Sequence, residues 1–318
     1  MRNRSVYQCN LTQGINAYLN AKPRAKSTQR RLNRIAKTVN TDALILDDVN
    51  QNTVGSITSL MWANKLTPEP TTVEREVTVP LRAVVRYCET QNMCRAGHFL
   101  GSGYVPDAPR FFYPDEAELL VKHAAPHIQP LLIFLFGTGA RMSEALYLDW
   151  KDVALASHRV IFQANRTKAK KRRVVIIPPR VELALLGLPH RTGPVFLTHE
   201  GKPYEPRDDQ GGQIIAAWEG AMNRAGMGLR AELTPHSCRH SWATWHHCVH
   251  KNLLKLKQDG GWGSVTIVER YAHVIDDRAW GRIFVFLGID ANDPIGLGFE
   301  RTQFQVGSGI HRQHEVAA

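Results

Sequence analysis

The chain has no long hydrophobic run. Its longest uninterrupted apolar stretch, residues 131–136, lies between Pro130 and Gly137 and is far shorter than the roughly 20 residues that span a bilayer. The charged N-terminus is followed by neither an apolar segment nor a small-residue cleavage site, so a secretory signal is not expected. The sequence therefore predicts no membrane association and a cytoplasmic location.

Cysteine is scarce, with 5 residues in the chain. Their number is odd and none of them forms a CxxC pair, so the sequence predicts neither a disulfide framework nor a zinc ribbon. They are interpreted as thiols, mostly buried, in a reducing compartment.

Acidic residues are few relative to basic ones. The chain holds 29 Asp and Glu against 40 Lys and Arg, which gives a formal net charge of +11 with histidines neutral. With 43% hydrophobic residues, 318 residues can bury a sizeable core, and the length suits two domains better than one. The charge indicates an acidic partner or no more than solubility, so other features must identify that partner.

The stretch from residue 22 to residue 37 contains no acid at all. Ser27 can cap a helix whose apolar positions, Leu32, Ile35 and Val39, recur at three- and four-residue spacing. The basic side chains then lie on the outer face, where they suit a phosphate backbone or simply a solvated surface. The basic set comprises Lys22, Arg24, Lys26, Arg30, Arg31, Arg34 and Lys37.

Two domains are predicted from the patterning. Further helical patterns in Val54–Ala63 and Val73–Thr90, the second broken or kinked by Pro80, suggest a helical domain over residues 8–96. Residues 97–113 are rich in Gly and Pro and are interpreted as a linker, residues 114–290 as a second domain, and residues 291–318 as a C-terminal tail. Because few residues precede the first domain, a separate additional N-terminal domain is not expected.

The second domain is predicted to be mainly helical with a small antiparallel sheet. Helices are expected from Pro114, through the apolar run that ends at Gly137, and over Ile214–Ala225. Two β-branched runs, Val160–Phe162 and Val174–Ile177, flank a very basic segment and have the pattern of a hairpin, while Val195–Leu197 is expected to be a short strand.

A helix after Pro235 is expected to carry functional side chains. His236 and Arg239 are three residues apart and share one face, while Cys238, Trp242, Trp245 and Val249 are spaced for burial. His236 and His240 are spaced as zinc ligands can be, but no HExxH glutamate and no third ligand are evident, so no metal site is predicted. His240 is interpreted as a structural residue.

An ordered series of motifs resembles the tyrosine recombinase, or phage integrase, family over roughly residues 114–275. Its parts are GTGARMSE at residues 137–144, the basic hairpin, HSCRH at 236–240, Gly261-Trp262 and Tyr271. The helical domain at 8–96 is similar to the family's core-binding domain in pattern and charge. The resemblance implies a mainly α, two-domain clamp around duplex DNA.

The resemblance assigns a role to each catalytic candidate. Arg141 and Arg239 are expected to stabilise charge on the phosphate oxygens, because fixed guanidinium forks suit that task. Tyr271 is the expected nucleophile, and its phenol, with an ordinary pKa near 10, needs cationic surroundings or a base. Lys168 aligns with the family's general acid, although Lys170 and Lys171 compete for the role.

Three further residues receive supporting roles. His236 is expected to assist proton transfer or bind a phosphate oxygen, and the indole N–H of Trp262 to donate to the same group. Most members of the family have histidine where this chain has Trp262, so proton exchange at that position is not expected. Glu144 resembles the family's acidic residue that orients active-site groups. The hairpin residues Lys170, Lys171, Arg172 and Arg173 are expected to bind DNA.

The implied reaction is cleavage and rejoining of DNA strands through a 3′-phosphotyrosyl bond, which integrates or excises a DNA element without cofactor or metal. The implied partners are double-stranded DNA, a tetramer of the chain on two DNA sites, and a host DNA-bending factor. The segment Arg282–Leu287 is apolar enough to enter a neighbouring subunit's groove or to close its own core. The alternatives are a type IB topoisomerase, a non-catalytic DNA-binding relative and a metal-dependent nuclease.

Overall fold

The computed structural model describes residues 9–95, 108–163, 172–205, 212–272 and 274–290. The chain divides into two compact units, Met1–Asp107 and Ala108–Ala318. Helices dominate both units and the second also holds a three-stranded antiparallel sheet, which confirms the predicted fold class. In the described part of the chain, no helix combines the length and the apolar character needed to cross a membrane. The predicted tail, 291–318, lies outside the described residues.

The first unit is built from short helices around one apolar core. Its helices are α1 Leu11–Asn20, α2 Lys26–Thr38, α3 Gln51–Met61, α4 Pro70–Val73 and α5 Val79–Thr90. Asn10 and Asn50 each form a capping box that satisfies backbone N–H groups at the start of α1 and α3. Helix α2 instead begins after Ala25 with no side-chain cap, so the predicted cap at Ser27 is wrong. Of the predicted stripe, Leu32 and Ile35 are fully buried, whereas Val39 follows the last residue of α2 and is only partly buried.

Pro80 does not break the helical path. A π-helical turn, Glu74–Thr78, joins α4 to α5, and Pro80 sits in the first turn of α5. The path stays helical through Thr78 and Val79, and the Val79 N–H donates to Glu74 O, five residues back. Pro80, which has no N–H to donate, therefore lies directly after a π turn within a continuous helical path.

The second unit surrounds the apolar helix α7. Phe134, Leu135 and Phe136 of this helix are all buried, so α7 is covered on every side, as its unbroken apolar sequence predicts. The helices of this unit are α6 Pro114–His123, α7 Gln129–Thr138, α8 Met142–Leu146, α9 Pro179–Leu186, α10 Ile215–Arg224, α11 Ser237–His250, α12 Leu253–Gly260 and α13 Trp280–Leu287.

The sheet pairs in the order β1-β2-β3, with β1 Val153–Ala154, β2 Arg159–Phe162 and β3 Arg173–Ile176. Phe162 pairs with Arg173 at the end of the β2–β3 ladder, and residues 164–171 between the two strands lie outside the described residues. Val195–Leu197 is not the predicted strand, since the chain there forms only isolated bridges beside Val195 and at Leu197. The third strand is β1, which is too short to show a two-residue alternation.

Helix α13 packs into its own unit. Ile283, Phe284 and Phe286 are each at most 3% exposed, and the Phe286 ring contacts both Phe136 and Trp245. Of the two alternatives open from the sequence, the segment Arg282–Leu287 therefore closes its own core in this structure.

Candidate active site

Three arginines meet at the C-terminal end of α12. Three successive backbone carbonyls of the chain each accept a hydrogen bond from a different guanidinium. The bonds run from Arg173 Nη1 to Asp259 O (2.6 Å), from Arg239 Nη2 to Gly260 O (2.6 Å) and from Arg141 Nη2 to Gly261 O (3.2 Å). The last carbonyls of a helix lack intrahelical partners and carry partial negative charge, so this end suits cations. It brings the two predicted phosphate-binding arginines, Arg141 and Arg239, into one place.

Glu144 lies beneath these arginines with its side chain fully buried. Its carboxylate accepts from Arg141 Nη1 at 2.7 Å, from the Arg141 backbone N–H at 2.9 Å and from Arg173 Nη2 at 2.6 Å. Burial alone would raise the Glu144 pKa, but the charge of Arg173, the Arg141 backbone N–H and the nearby guanidinium charges hold it below its ordinary value. The carboxylate is therefore ionised, and its two hydrogen bonds hold Arg141 in place.

Arg239 is 3% exposed, which is rare for a charged side chain. It donates to Gly139 O as well as to Gly260 O, and its guanidinium carbon lies 4.1 Å from the centre of the Trp262 ring. Burial, followed by the charges of Arg141 and Arg173, lowers the Arg239 pKa to about 9, which still leaves it protonated at neutral pH. Arg239 lies on α11, and the buried Trp245 anchors this helix in the core.

Glycines make the close approach of these groups feasible. A Cβ on Gly260 would lie 1.7 Å from the Trp262 ring, and a Cβ on Gly139 would lie 2.2 Å from the Trp242 ring. Gly139 and Gly261 also have φ of 59° and 66°, in the left-handed region that favours glycine. The GTG and GGW motifs are thus required by the packing of two tryptophans as well as by the backbone.

Tyr271 is buried beside the arginine cluster. It ends a short 3₁₀ turn, Glu269–Tyr271, is 3% exposed and packs its ring against Trp262, with ring centres 5.7 Å apart. Burial raises the Tyr271 pKa, while the charges of Arg270 and Arg239 act in the opposite direction. The phenol is therefore protonated at neutral pH and would have to lose its proton in order to react.

The Tyr271 hydroxyl forms a hydrogen bond with His240, for which only a structural role is predicted from the sequence. His240 Nδ1 lies 2.7 Å from Tyr271 Oη, and the His236 ring packs edge-on against His240 with ring centres 4.8 Å apart. His236 itself is exposed at the start of α11. The available signal was the four-residue spacing of His236 and His240, which places both on one helix face.

The basic hairpin is only partly described. Lys168, Lys170 and Lys171 lie outside the described residues, and Arg172 is exposed. Arg173, which was expected to bind DNA, is instead 8% exposed, with its guanidinium on Glu144 and 4.6 Å from the centre of the Phe162 ring. Because its position on β3 points inward, Arg173 supports the arginine cluster and is not placed for DNA contact.

The seven basic residues between positions 22 and 37 divide into two groups. Arg31 pairs with Glu76 at 3.1 Å, Arg24 covers the Tyr18 ring at 3.7 Å and Arg34 covers the Trp62 ring at 4.9 Å. The exposed members are Lys22, Lys26, Arg30 and Lys37. Within the described ranges, no three His, Cys, Asp or Glu side chains are grouped so that they could hold a metal ion.

The second unit is similar in sequence to a known protein family. The sequence model of the phage integrase family matches residues 110–278. The chain is 25% identical over 176 residues to the integrase of Salmonella phage P22, covering 52% of this chain and 44% of that protein. It is 34% identical over 156 residues to tyrosine recombinase XerC of Herpetosiphon aurantiacus, covering 47% and 48%. The chain thus matches about half the length of these curated relatives.

Two solved structures share the fold. The Tn1549 transposon integrase in complex with a circular intermediate DNA superposes with a TM-score of 0.66 at 18% identity, covering 86% of this chain and 98% of that one. The XerH site-specific recombinase bound to a palindromic difH substrate superposes with a TM-score of 0.56 at 16% identity, covering 87% and 85%. At these identities the likeness establishes the fold alone.

Proposed function

The chain belongs to the phage integrase family, and from this premise we propose that it is a tyrosine-type site-specific recombinase that integrates or excises a DNA element. The observation that carries the proposal is the convergence of Arg141 and Arg239 on one helix end beside Tyr271. Two fixed guanidinium groups and a hydroxyl nucleophile are what transfer of a phosphodiester to a protein side chain requires.

The proposed reaction begins with attack of the Tyr271 hydroxyl oxygen on the scissile phosphate. Arg141 and Arg239 stabilise the charge that develops on the non-bridging oxygens, and their geometry is set in advance by Glu144 and the carbonyls that end α12. The product is a 3′-phosphotyrosyl bond and a free 5′ hydroxyl. Attack by a 5′ hydroxyl of a partner strand reverses the step and rejoins the DNA, so no cofactor is required.

The remaining candidates act on protons and orientation. Lys168, in the basic sequence segment between β2 and β3, protonates the leaving 5′ oxygen, as a lysine can do when it acts as a general acid. The exposed His236 binds a phosphate oxygen, and the Trp262 indole N–H donates to the same phosphate. The ring of Trp262 also stacks on Trp242 and under Arg239, which fixes the arginine in place.

The proposed partner is double-stranded DNA, contacted by the exposed cations of the first unit and by Arg172, with Lys170 and Lys171 of the basic segment as further candidates. Four copies of the chain act on two DNA sites, with a host DNA-bending factor as an accessory, in the cytoplasm where the DNA lies. The Tn1549 integrase and XerH, which share this fold, are both seen in complex with DNA, and this supports the proposal that the chain binds DNA.

The test is capture of a covalent protein–DNA adduct in EDTA. A pool of nicked suicide duplexes with a randomised recognition sequence is incubated with the protein, and adducts are isolated under denaturing conditions and sequenced. We expect adducts with the wild type and with Tyr204→Phe, a matched buried tyrosine, and none with Tyr271→Phe. Adducts that persist in Tyr271→Phe contradict the assignment of the nucleophile, and absence of adducts in the wild type contradicts the proposed function.

A further inference from the structure

His240 is the side chain that touches the hydroxyl of the proposed nucleophile. We propose that His240 accepts the proton of Tyr271 when the tyrosine attacks DNA, an inference that rests on the recombinase function proposed above. The carrying observation is the 2.7 Å contact between His240 Nδ1 and Tyr271 Oη. A general base must lie within about 2.6–3.2 Å of the atom that loses the proton, and His240 meets that condition before DNA arrives.

The surroundings make His240 a neutral acceptor. Burial, followed by the charges of His236, Arg270 and Arg239, lowers the His240 pKa to about 3, so its ring is uncharged at neutral pH. With its single proton on Nε2, the ring presents the Nδ1 lone pair to the phenol. Tyr271 is protonated in the same environment, so the hydroxyl donates and the imidazole accepts.

The position of His240 is fixed by packing. It lies on α11 next to Arg239, whose guanidinium is held by two backbone carbonyls. The Tyr271 ring is held against Trp262 and against the His240 ring itself, with ring centres 5.7 and 5.8 Å apart. His240 and the phosphate-binding Arg239 therefore belong to one rigid helix segment. This segment fixes the position of the proton acceptor relative to the bound phosphate.

DNA binding strengthens His240 as a base. In the protein alone, neighbouring positive charges oppose protonation of the ring. A scissile phosphate beside Arg239 brings negative charge that offsets them, so the imidazolium formed in the transition state is stabilised only when substrate is bound. The exposed ring of His236 packs edge-on against His240 and therefore lies beside the positive charge of the His240 imidazolium.

The bonds balance in both directions. In cleavage the Tyr271 O–H bond breaks, its proton moves to His240 Nδ1, and a bond forms between Oη and phosphorus. The bond between phosphorus and the 5′ oxygen breaks, and the leaving 5′ oxygen takes a proton from the general acid. In rejoining, the 5′ hydroxyl attacks phosphorus and gives up its proton to that acid. Tyr271 leaves and recovers its proton from His240.

The decisive variant is His240→Asn, which retains a hydrogen-bond acceptor near the Nδ1 position but cannot take a proton. Single-turnover adduct formation is measured on a suicide substrate recovered from the wild-type selection. We expect the rate constant to fall about 10²- to 10⁴-fold with DNA affinity unchanged. His240→Ala should fall similarly and should be accelerated by added imidazole, a response that loss of a merely structural contact would not give. The exposed His199→Asn serves as the matched control.

The outcomes separate this inference from the proposed function. A wild type that forms no adduct removes the function itself. A wild type that forms the Tyr271 adduct, together with His240→Asn at or above the wild-type rate, overturns the role of His240 alone. If His240→Ala folds and binds DNA but imidazole does not accelerate it, proton acceptance by His240 is likewise overturned. If the alanine variant does not fold, His240→Asn decides.

Discussion

Arg173 and Glu144 form an ion pair inside the second unit, with Arg173 Nη2 2.6 Å from Glu144 Oε2. The same carboxylate binds Arg141, so one buried anion links a residue of the hairpin to a residue of the proposed phosphate site. The other end of the Arg173 guanidinium holds the Asp259 carbonyl. Arg173, the first residue of β3, therefore connects this strand to Glu144 and to α12.

Glu144→Gln should lower the free energy of unfolding. It should also slow adduct formation, and the rate should fall by a larger factor than the DNA affinity. The substitution leaves the buried Arg173 without its counter-charge, and removing one partner of a buried pair costs about 3–5 kcal/mol. Urea unfolding measures the loss. The control is Asp115→Asn, which breaks the exposed pair with Arg282 at 2.8 Å and should cost at most about 1 kcal/mol. Equal losses in the two variants would contradict this account.

Gly260→Ala should abolish most of the cleavage activity. The new Cβ would lie 1.7 Å from the Trp262 ring, so the ring must move and the Arg239 guanidinium loses its stacking partner. A displacement of this kind can cost about 100-fold in rate. Gly263→Ala is the matched control, because a Cβ there meets nothing within 4 Å. Single-turnover rates of both variants give the comparison, and a fully active Gly260→Ala would show that Trp262 is not needed in its place.

Lys168→Ala should slow cleavage of ordinary DNA far more than cleavage of DNA with a bridging 5′ sulfur at the scissile phosphate. Sulfur leaves without needing a proton, so the loss of a general acid matters little there. The ratio of the two cleavage rates is the measurement. Lys170→Ala and Lys171→Ala are the comparisons, and whichever lysine shows the selective rescue is the acid. A Lys168→Ala variant that is equally slow on both substrates would indicate a role in charge stabilisation.

Arg30→Gln should reduce the salt dependence of DNA binding more than Arg31→Gln does. Arg30 is exposed, whereas Arg31 is paired with Glu76 at 3.1 Å. Each lost phosphate contact lowers the slope of log K against log salt by about 0.9. Binding of nonspecific duplex at several salt concentrations gives the slopes. The same slope change in both variants would mean that Arg31 leaves Glu76 when DNA binds.

Stability should fall as pH drops from 6.5 towards 3. The pKa values of His240 and His250 are both lowered from 6.5 to about 3, chiefly by burial. Below pH 6.5 the unfolded chain binds protons that the folded chain does not, so each histidine costs up to about 1.4 kcal/mol per pH unit. Urea unfolding between pH 7.5 and 5.5 measures the loss. His240→Asn should make the loss of stability between these pH values smaller, and by more than substitution of the exposed His236 by Asn does. A free energy of unfolding that does not change with pH would contradict the burial of neutral histidines.

Much of the second unit follows from local pattern. The apolar run of α7 predicts a helix buried on all sides, and Pro114 marks the start of α6, because periodicity and capping act over a few residues. The failures are local as well. Val195–Leu197 has the composition of a strand, but the chain there pairs only through isolated bridges. Composition does not reveal whether a partner strand is available.

The sequence by itself determined the family, the mainly helical fold and the order of the candidate residues, since these depend on residue types and short spacings. Only the tertiary structure decided which of them meet. Arg141 reaches the α12 turn from 120 residues away and His240 reaches Tyr271 from 31 residues away, through packing that no spacing encodes. Arg173 also points inward only in the folded structure, because its charge compensates the buried Glu144 carboxylate, which would be strongly destabilising if it were unpaired.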